Sequence, residues 1–297
     1  MKPEPHHIAE YWANAAVQQK LCTTKLCMAE STADPCDSRI VHAHTVPRSQ
    51  LLKIAVEGHV YSFAATAADL MRNEGKIVAK RVGVNKFSTL NCFCAKHDND
   101  LFAPIEDEPL AFAPLQLALL HYRTLASEMY RKITTHAWSV HYLESEKRKP
   151  AKARPPGSIE WLEGIVFGET LGIRDCGVAF GRAEKNLFEQ DFGAISALVV
   201  HFKRMPTVLA VAGFLPEYSY RGEPLQRLGD PNSLCSSVAF NILSSHGHAA
   251  LAMLWFKEDT LGKSLADSFI AQKPELLTTL AIQTCFEHFE NSCMAPV

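Results

Sequence analysis

Two short stretches of the chain carry side chains that together could coordinate a metal. The first holds Cys27 and Cys36 and runs into Ile40-Val41-His42-Ala43-His44-Thr45-Val46-Pro47. The second is Cys94-Ala95-Lys96-His97-Asp98. Two thiols precede a β-branched strand rich in histidine, and a thiol and an imidazole follow at the i, i+3 spacing that places both on one face of a helix. Cys27, Cys36, Cys94 and His97 make a Cys₃His set, a common tetrahedral ligand set for structural zinc. A strand and a helix pinned by zinc could present His44 as a general base, since imidazole is neutral yet basic near pH 7.

Other ligand choices stay open at this level. Cys22 could replace Cys27, although the shorter loop to Cys36 favours Cys27. Cys92 could replace Cys94, but its spacing to His97 is less usual. The competing reading is a set of unligated core thiols, because free cysteine is among the most buried residue types. His42 lies two residues before His44, so strand alternation puts both on one face. Asp98 could cap a helix or ligate a metal.

These residues need elements to position them. The β-branched stretch 39–46 and the stretch 58–63 read as strands, 49–56 as a helical turn, and 93–102 as a helix carrying Cys94 and His97. A short amphipathic helix is expected over 9–20. Residues 64–83 read as irregular, with local positive charge from Lys76, Lys80 and Arg81. The clearest periodic segment is 109–145, where Leu115, Leu119, Tyr122, Leu125, Ala126, Met129 and Ile133 recur at helical spacing. A basic, proline-rich stretch, 146–157, follows and reads as a solvated linker.

The second half changes character. A helix over 161–191, interrupted at Gly172 and Gly177, precedes strands over 194–203, 208–214, 234–244 and 249–257. Ser245-His246-Gly247-His248 is the turn between the last two strands. A single helix over 269–289 is expected near the C-terminus. The fold class is therefore α+β, with an N-terminal zinc-binding unit, residues 1–108, a helix and basic linker, 109–157, and an α+β domain with a mostly antiparallel sheet, 158–297. No phosphate loop, dinucleotide fingerprint or nucleophile elbow occurs in the second half.

Bulk composition narrows the function classes. The chain has 297 residues, is 47% hydrophobic and 21% charged, and carries a formal net charge of −2. It can bury a sizeable core, and any contact with DNA or RNA must use a local basic surface. The first residues lack the apolar core of a signal peptide, and no apolar run is long enough to span a bilayer. The nine cysteines do not space like a secreted disulfide framework. The expectation is a reducing cytoplasm, where clustered cysteines more often mean metal.

The order of cysteine pair, strand ending in His44-Thr45-Val46-Pro47, second strand and Cys94-x-x-His97 on a helix resembles the HNH endonucleases, with their ββα-metal treble clef. The resemblance covers about a third of the chain. It implies a treble clef holding structural zinc, His44 as the base that activates water, and Asn85 or Asn91 as the residue steadying the hairpin. It also implies a catalytic Mg²⁺ or other divalent ion, with His42 and Asp98 as candidate ligands. Lys76, Lys80, Arg81 and Lys86 are candidate phosphate contacts. The resemblance makes the second half a sensor or partner domain. The chain departs from that family in two places. Ala43 stands where the family usually has an acidic or histidine metal ligand. Leu101 lies a turn beyond the last zinc ligand, where the family places a metal-binding His or Asn. A group of uncharacterised bacterial proteins is also similar, through Ala43-His44-Thr45, Gly58-His59-Val60 and Phe93-Cys94-Ala95-Lys96-His97-Asp98. The alternative function is a non-catalytic zinc-binding interaction protein.

Overall fold

The computed structural model describes residues 23–29, 35–37, 39–154 and 156–296. The expected helix over 9–20 and Cys22 lie outside them. Two strands far apart in sequence, β1 (Ile40–His44) and β4 (Thr89–Cys94), form a two-stranded antiparallel ribbon, with Ile40 opposite Cys94 and His44 opposite Thr89. Helix α3 (Ala95–Glu106) follows β4 without a break. Helical geometry therefore begins at Ala95 rather than at residue 93, and Cys94 sits at the junction as the N-cap residue.

Between β1 and β4 the chain makes an excursion through α1 (Arg48–Ile54), β2 (His59–Ser62), α2 (Ala67–Arg72) and β3 (Lys80–Gly83). The stretch expected to be irregular thus holds a helix and a strand. A capping box starts α2: the Asp69 amide donates to Thr66 Oγ1, and the Thr66 amide donates to Asp69 Oδ2 at 2.9 Å. The hairpin β2–β3 leaves the ribbon and joins a larger sheet. That sheet also contains β5 (Ile195–His201), β6 (Val208–Phe214), β7 (Val238–Ser245), β8 (His248–Phe256) and β9 (Ser292–Met294). Its order is β3-β2-β9-β6-β7-β8-β5, and every pairing is antiparallel. The turn from β7 to β8 has positive φ at His246 and Gly247, as a two-residue hairpin turn requires.

Antiparallel sheets often leave one face wet, but all of β7 and nearly all of β8 are buried. Helices cover both sides. Val238, Phe240, Ile242, Leu251 and Met253 face α6 (Thr260–Ile270) and α7 (Leu277–His288), meeting Leu265, Phe269 and Cys285. Ala239, Leu243, Ala250, Ala252 and Leu254 face the other way. They share a core with Leu119 and Tyr122 of α4 (Pro114–Arg148) and with Phe93 and Phe102 of the ribbon unit. Gly262 sets the spacing of α6, because a Cβ there would lie 2.3 Å from Trp255 Cγ.

Three expectations change. Helix α5 (Ser158–Phe188) runs through Gly172 and Gly177 without interruption. A Cβ at these glycines would meet only side-chain ends of α4, Lys132 Nζ at 3.3 Å and Met129 Cε at 3.7 Å, so this face of α5 lies along α4. The expected single helix over 269–289 is two helices, broken ahead of Pro274, which has no amide hydrogen to donate. The chain also does not separate at residues 108 and 158 as a three-part division would have it. Strands β2 and β3 share a sheet with β5–β9. Gln50 of α1 donates from Nε2 to the Ser244 carbonyl at 3.1 Å, and its Oε1 accepts the Ser244 amide at 2.7 Å. Asn291 Nδ2 donates to Thr45 Oγ1 at 2.8 Å and to the Val211 carbonyl at 2.7 Å. The basic stretch 146–157 connects α4 to α5, two helices that lie against each other. Arg154 Nε bonds the Lys149 carbonyl there at 2.8 Å.

Candidate metal centre

The segment before the ribbon runs beside β4. The Met28 amide donates to the Cys92 carbonyl at 2.8 Å, and Tyr122 Oη donates to the Met28 carbonyl at 3.2 Å. This pins Cys27 over the start of α3, where its Sγ accepts the Cys94 amide at 3.3 Å. Cys36 arrives just ahead of β1, steadied by a bond of 3.2 Å from Lys96 Nζ to the Pro35 carbonyl. Cys94 caps α3 by accepting the His97 amide on its sulfur. One turn on, His97 directs Nδ1 back toward the three thiols.

His97 Nδ1 lies 3.3 Å from Cys27 Sγ, 3.5 Å from Cys36 Sγ and 3.4 Å from Cys94 Sγ. The four ligand atoms all fall within 4.8 Å of one another. One imidazole nitrogen offers one proton or one lone pair, so three sulfurs converging on it exceed what hydrogen bonding can use. Ideal tetrahedral zinc, with Zn–S about 2.3 Å and Zn–N about 2.05 Å, puts N and S about 3.6 Å apart and two sulfurs about 3.8 Å apart. The three N–S spacings, 3.3–3.5 Å, lie close to that N–S value. Cys27, Cys94 and His97 are buried and Cys36 is half-buried. Burial pushes the Cys27 thiol up to about 12, so a bound cation would have to displace its proton. The group Cys27, Cys36, Cys94 and His97 could hold a metal ion such as zinc. Cys92 shares strand β4 with Cys94 but stays outside the group, as a fully buried core thiol.

His44 ends β1 on the ribbon that leads into α3. Its Nε2 lies 2.9 Å from the Val84 carbonyl. A carbonyl oxygen can only accept, so Nε2 carries the hydrogen and the neutral ring keeps its lone pair on Nδ1. Burial holds the imidazole below its usual pKa, while the Val84 bond acts in the opposite direction. His44 and Asp98 are close enough for each charge to influence the other.

Asp98 is held by an arginine that motif reasoning missed. Arg123 of α4 is only 2% exposed, donates to Glu106 Oε1 at 2.6 Å and places Nη2 3.6 Å from Asp98 Oδ1. Its guanidinium also stacks 4.5 Å above the Phe102 ring. Asp98, Phe102 and Glu106 recur every fourth residue, so one stripe of α3 wraps the buried cation. That stripe is visible in the sequence; the arginine inside an apolar stretch of α4 was the second half of the signal. Burial raises the Asp98 carboxyl and Arg123 opposes the rise.

The structure does not gather the remaining candidates into a second site. His42 is exposed, and among the described residues no hydrogen bond or ion pair joins it to Asp98 or His44. The Cys₃His cluster is the one group of three or more His, Cys, Asp or Glu ligand atoms brought together among the described residues. A catalytic cation on His42 and Asp98 is thus not supported, because Asp98 turns inward to Arg123. Asn85 accepts from Arg48 Nε at 2.9 Å, next to the Val84 carbonyl that orients His44. Asn91 uses its carbonyl to accept the Leu26 amide. Of the basic candidates, Lys80 is paired with Asp69 and Arg81 lies 2.6 Å from Glu57. Lys76 and Lys86 are exposed and have no ion-pair partner among the described residues. No described helix is long and apolar enough to cross a membrane. Comparisons with family models, with curated proteins and with solved structures found no match to the chain.

Proposed function

We propose that the chain is a phosphodiester hydrolase of HNH type acting on nucleic acid, in which the Cys₃His group holds structural zinc and His44 is the base. The observation that carries this reading is His44 itself. It stands at the end of a strand whose partner leads directly into the cysteine-and-histidine-bearing helix, with its tautomer set by the Val84 carbonyl. The ribbon and α3, with two cysteines ahead of them, have the order of elements expected of a ββα-metal treble clef. Zinc held there would supply structure by tying the segment at Cys27 and Cys36 to the helix. His44 Nδ1 would take a proton from water as the water oxygen attacks phosphorus; the P–O bond to the departing sugar oxygen breaks in the same displacement, and that oxygen takes a proton from solvent. Lys86, exposed in the loop after β3, would offer charge to a phosphate oxygen. No step is assigned to a second cation, because among the described residues none assemble a site for one.

The test is cleavage of plasmid DNA and structured RNA with and without Mg²⁺, Mn²⁺ and Ni²⁺. His44→Ala should lower the rate by ~10²–10⁴-fold while zinc content and thermal stability hold. Because burial depresses the His44 pKa, the neutral base persists below the usual histidine value. Activity should therefore rise with pH through a midpoint below 6.5 and then level off. Equal activity in wild type and His44→Ala would refute the mechanism.

One observation favours a second reading, a non-catalytic zinc-binding interaction protein. Asp98 is bound inward to Arg123 and His42 lies apart from it, so the ribbon lacks the additional ligands of an HNH catalytic site. Inactivity on every substrate and metal, with one zinc per chain, would establish that reading over the first.

A further inference from the structure

The large sheet has a cleft that neither the metal centre nor His44 uses. It lies where the β5–β6 connection, residues 202–207, passes the flank of α7, and its volume is about 640 Å³. The other clefts described are about 210 to 330 Å³. Sites for small molecules commonly span ~300–1,000 Å³ and are mostly apolar with a few placed polar groups. The walls here are Val200, Phe202, Met205, Ile242, Leu277 and Ile282. Met205 is 47% exposed, a large apolar side chain left toward solvent at the opening.

The charges at the rim have one sign. Lys203 and Arg204 border the cleft, and among the described residues no aspartate or glutamate does. Both are exposed, and neither has an ion-pair partner among the described residues. Their backbone is fixed rather than loose. The Ala249 amide donates to the Arg204 carbonyl at 2.7 Å, and the Phe202 amide donates to the Ala249 carbonyl at 2.8 Å. His248 Nδ1 lies 3.3 Å from the Lys203 carbonyl. The connection is thereby stitched to the start of β8, and the two cations project from a defined position. Apolar walls remove a hydrocarbon body from water, and ammonium and guanidinium groups without acidic partners select an anionic head.

We infer that this cleft binds a small amphipathic anion, an apolar chain ending in a carboxylate or phosphate, with Lys203 and Arg204 taking the head and the α7 side taking the chain. The inference stands apart from any nuclease activity, and it gives the second half of the chain a ligand of its own.

Titration calorimetry on the full chain would test it with decanoate and decyl phosphate as probes below their micelle concentrations. Decan-1-ol, acetate and inorganic phosphate are the controls. One molecule of decanoate or decyl phosphate should bind per chain. Decan-1-ol should bind at least about tenfold more weakly, and acetate and inorganic phosphate should show no heat of binding. Lys203→Ala with Arg204→Ala removes two exposed cations and should weaken decanoate by about tenfold, as two surface charge contacts imply. Thr278→Trp, on the exposed face of α7 at the cleft, should block the chain without touching the charges. Both variants should keep the wild-type melting temperature. Decanoate binding unchanged in the double variant, or decan-1-ol binding equally well, would overturn the anion assignment. Binding to phosphatidylserine vesicles without binding of either monomeric probe would overturn the pocket in favour of a membrane surface.

Discussion

Cys92 and Cys94 provide an internal control for the metal centre. They lie two residues apart on one strand and both are fully buried. Only Cys94 has its sulfur at 3.4 Å from His97 Nδ1 and within the ligand group. Cys92→Ala removes one sulfur from a packed core, which should cost about 1–2 kcal/mol by the cavity argument. At about 2–4 °C per kcal/mol in a large domain, the melting temperature should drop by a few degrees. Cys94→Ala removes the same sulfur together with one of four metal contacts. Structural zinc contributes on the order of 10–16 kcal/mol of apparent binding energy in small domains, comparable to the ~5–15 kcal/mol total stability of a typical protein. Weakening it should therefore cost several times more than the cavity. The measurement is zinc by plasma mass spectrometry after passage over a chelating resin, with a melting curve on the same sample. Wild type and Cys92→Ala should hold one zinc per chain, and Cys94→Ala well under one with a far lower transition. Equal zinc content in the two variants, or equal melting temperatures, would refute the ligand assignment.

Three further outcomes follow from burial and packing. His121 of α4 is fully buried against the Phe256 ring, its nitrogens lack hydrogen-bond partners among the described residues, and burial pulls its pKa down to about 3. Below the unfolded value near 6.5 the unfolded chain binds a proton that the folded one refuses. Stability should thus fall with acid between about pH 6.5 and 3, by up to ~1.4 kcal/mol per pH unit from this group. Urea midpoints across that range should be less pH-dependent in His121→Leu, and an unchanged slope would exclude His121. Arg123→Met should cost roughly 3–5 kcal/mol, because it leaves Asp98 and Glu106 without their buried cation; a loss under about 1 kcal/mol in denaturant titration would contradict that role. Gly262→Ala should destabilise by more than about 1 kcal/mol, since its Cβ would fall inside contact distance of Trp255; a wild-type melting curve would show that α6 can shift freely.

The cluster that could hold a metal was legible in the sequence because metal chemistry is written in residue identity. Three thiols and an imidazole in that order, two of them a helical turn apart, restrict the choices before any fold is known. The partner of β1 was not legible. Local pattern placed strands at 39–46 and 58–63 but no pairing between them, and it missed the strand at 89–94; β1 pairs with β4, and the intervening β2–β3 hairpin joins another sheet. Nothing local encodes that choice; it follows from which apolar faces the whole chain can cover. Thr66 and Asp69 were a capping signal inside a stretch read as irregular, and Pro274 was a break signal inside a stretch read as one helix. Gly172 and Gly177 misled in the opposite direction, because the apolar packing of α5 along α4, through residues such as Ala179, Ala183 and Leu187, outweighs their poor helix propensity. Arg123 escaped notice because a lone arginine in an apolar helix gains meaning only when its acidic partners on α3 are in place.

The position of β9 bears on how the molecule is made. This strand of Ser292–Met294 is inserted between β2 and β6, with Cys293 opposite both Ser62 and Leu209. More than 200 residues separate Gly83, at the end of β3, from Ser292, so at ~5–20 residues per second the ribosome needs on the order of 10–40 s to bridge them. For that interval the β2–β3 hairpin has an open edge, and an isolated two-stranded hairpin is marginal in water. The four residues of the Cys₃His group, by contrast, are all synthesised by His97, and the ribbon that carries Cys94 does not include β9. A nascent chain could thus close its N-terminal cluster early while holding an unpaired edge strand exposed, which makes the interval before β9 emerges the period of greatest exposure to proteolysis and edge-to-edge association.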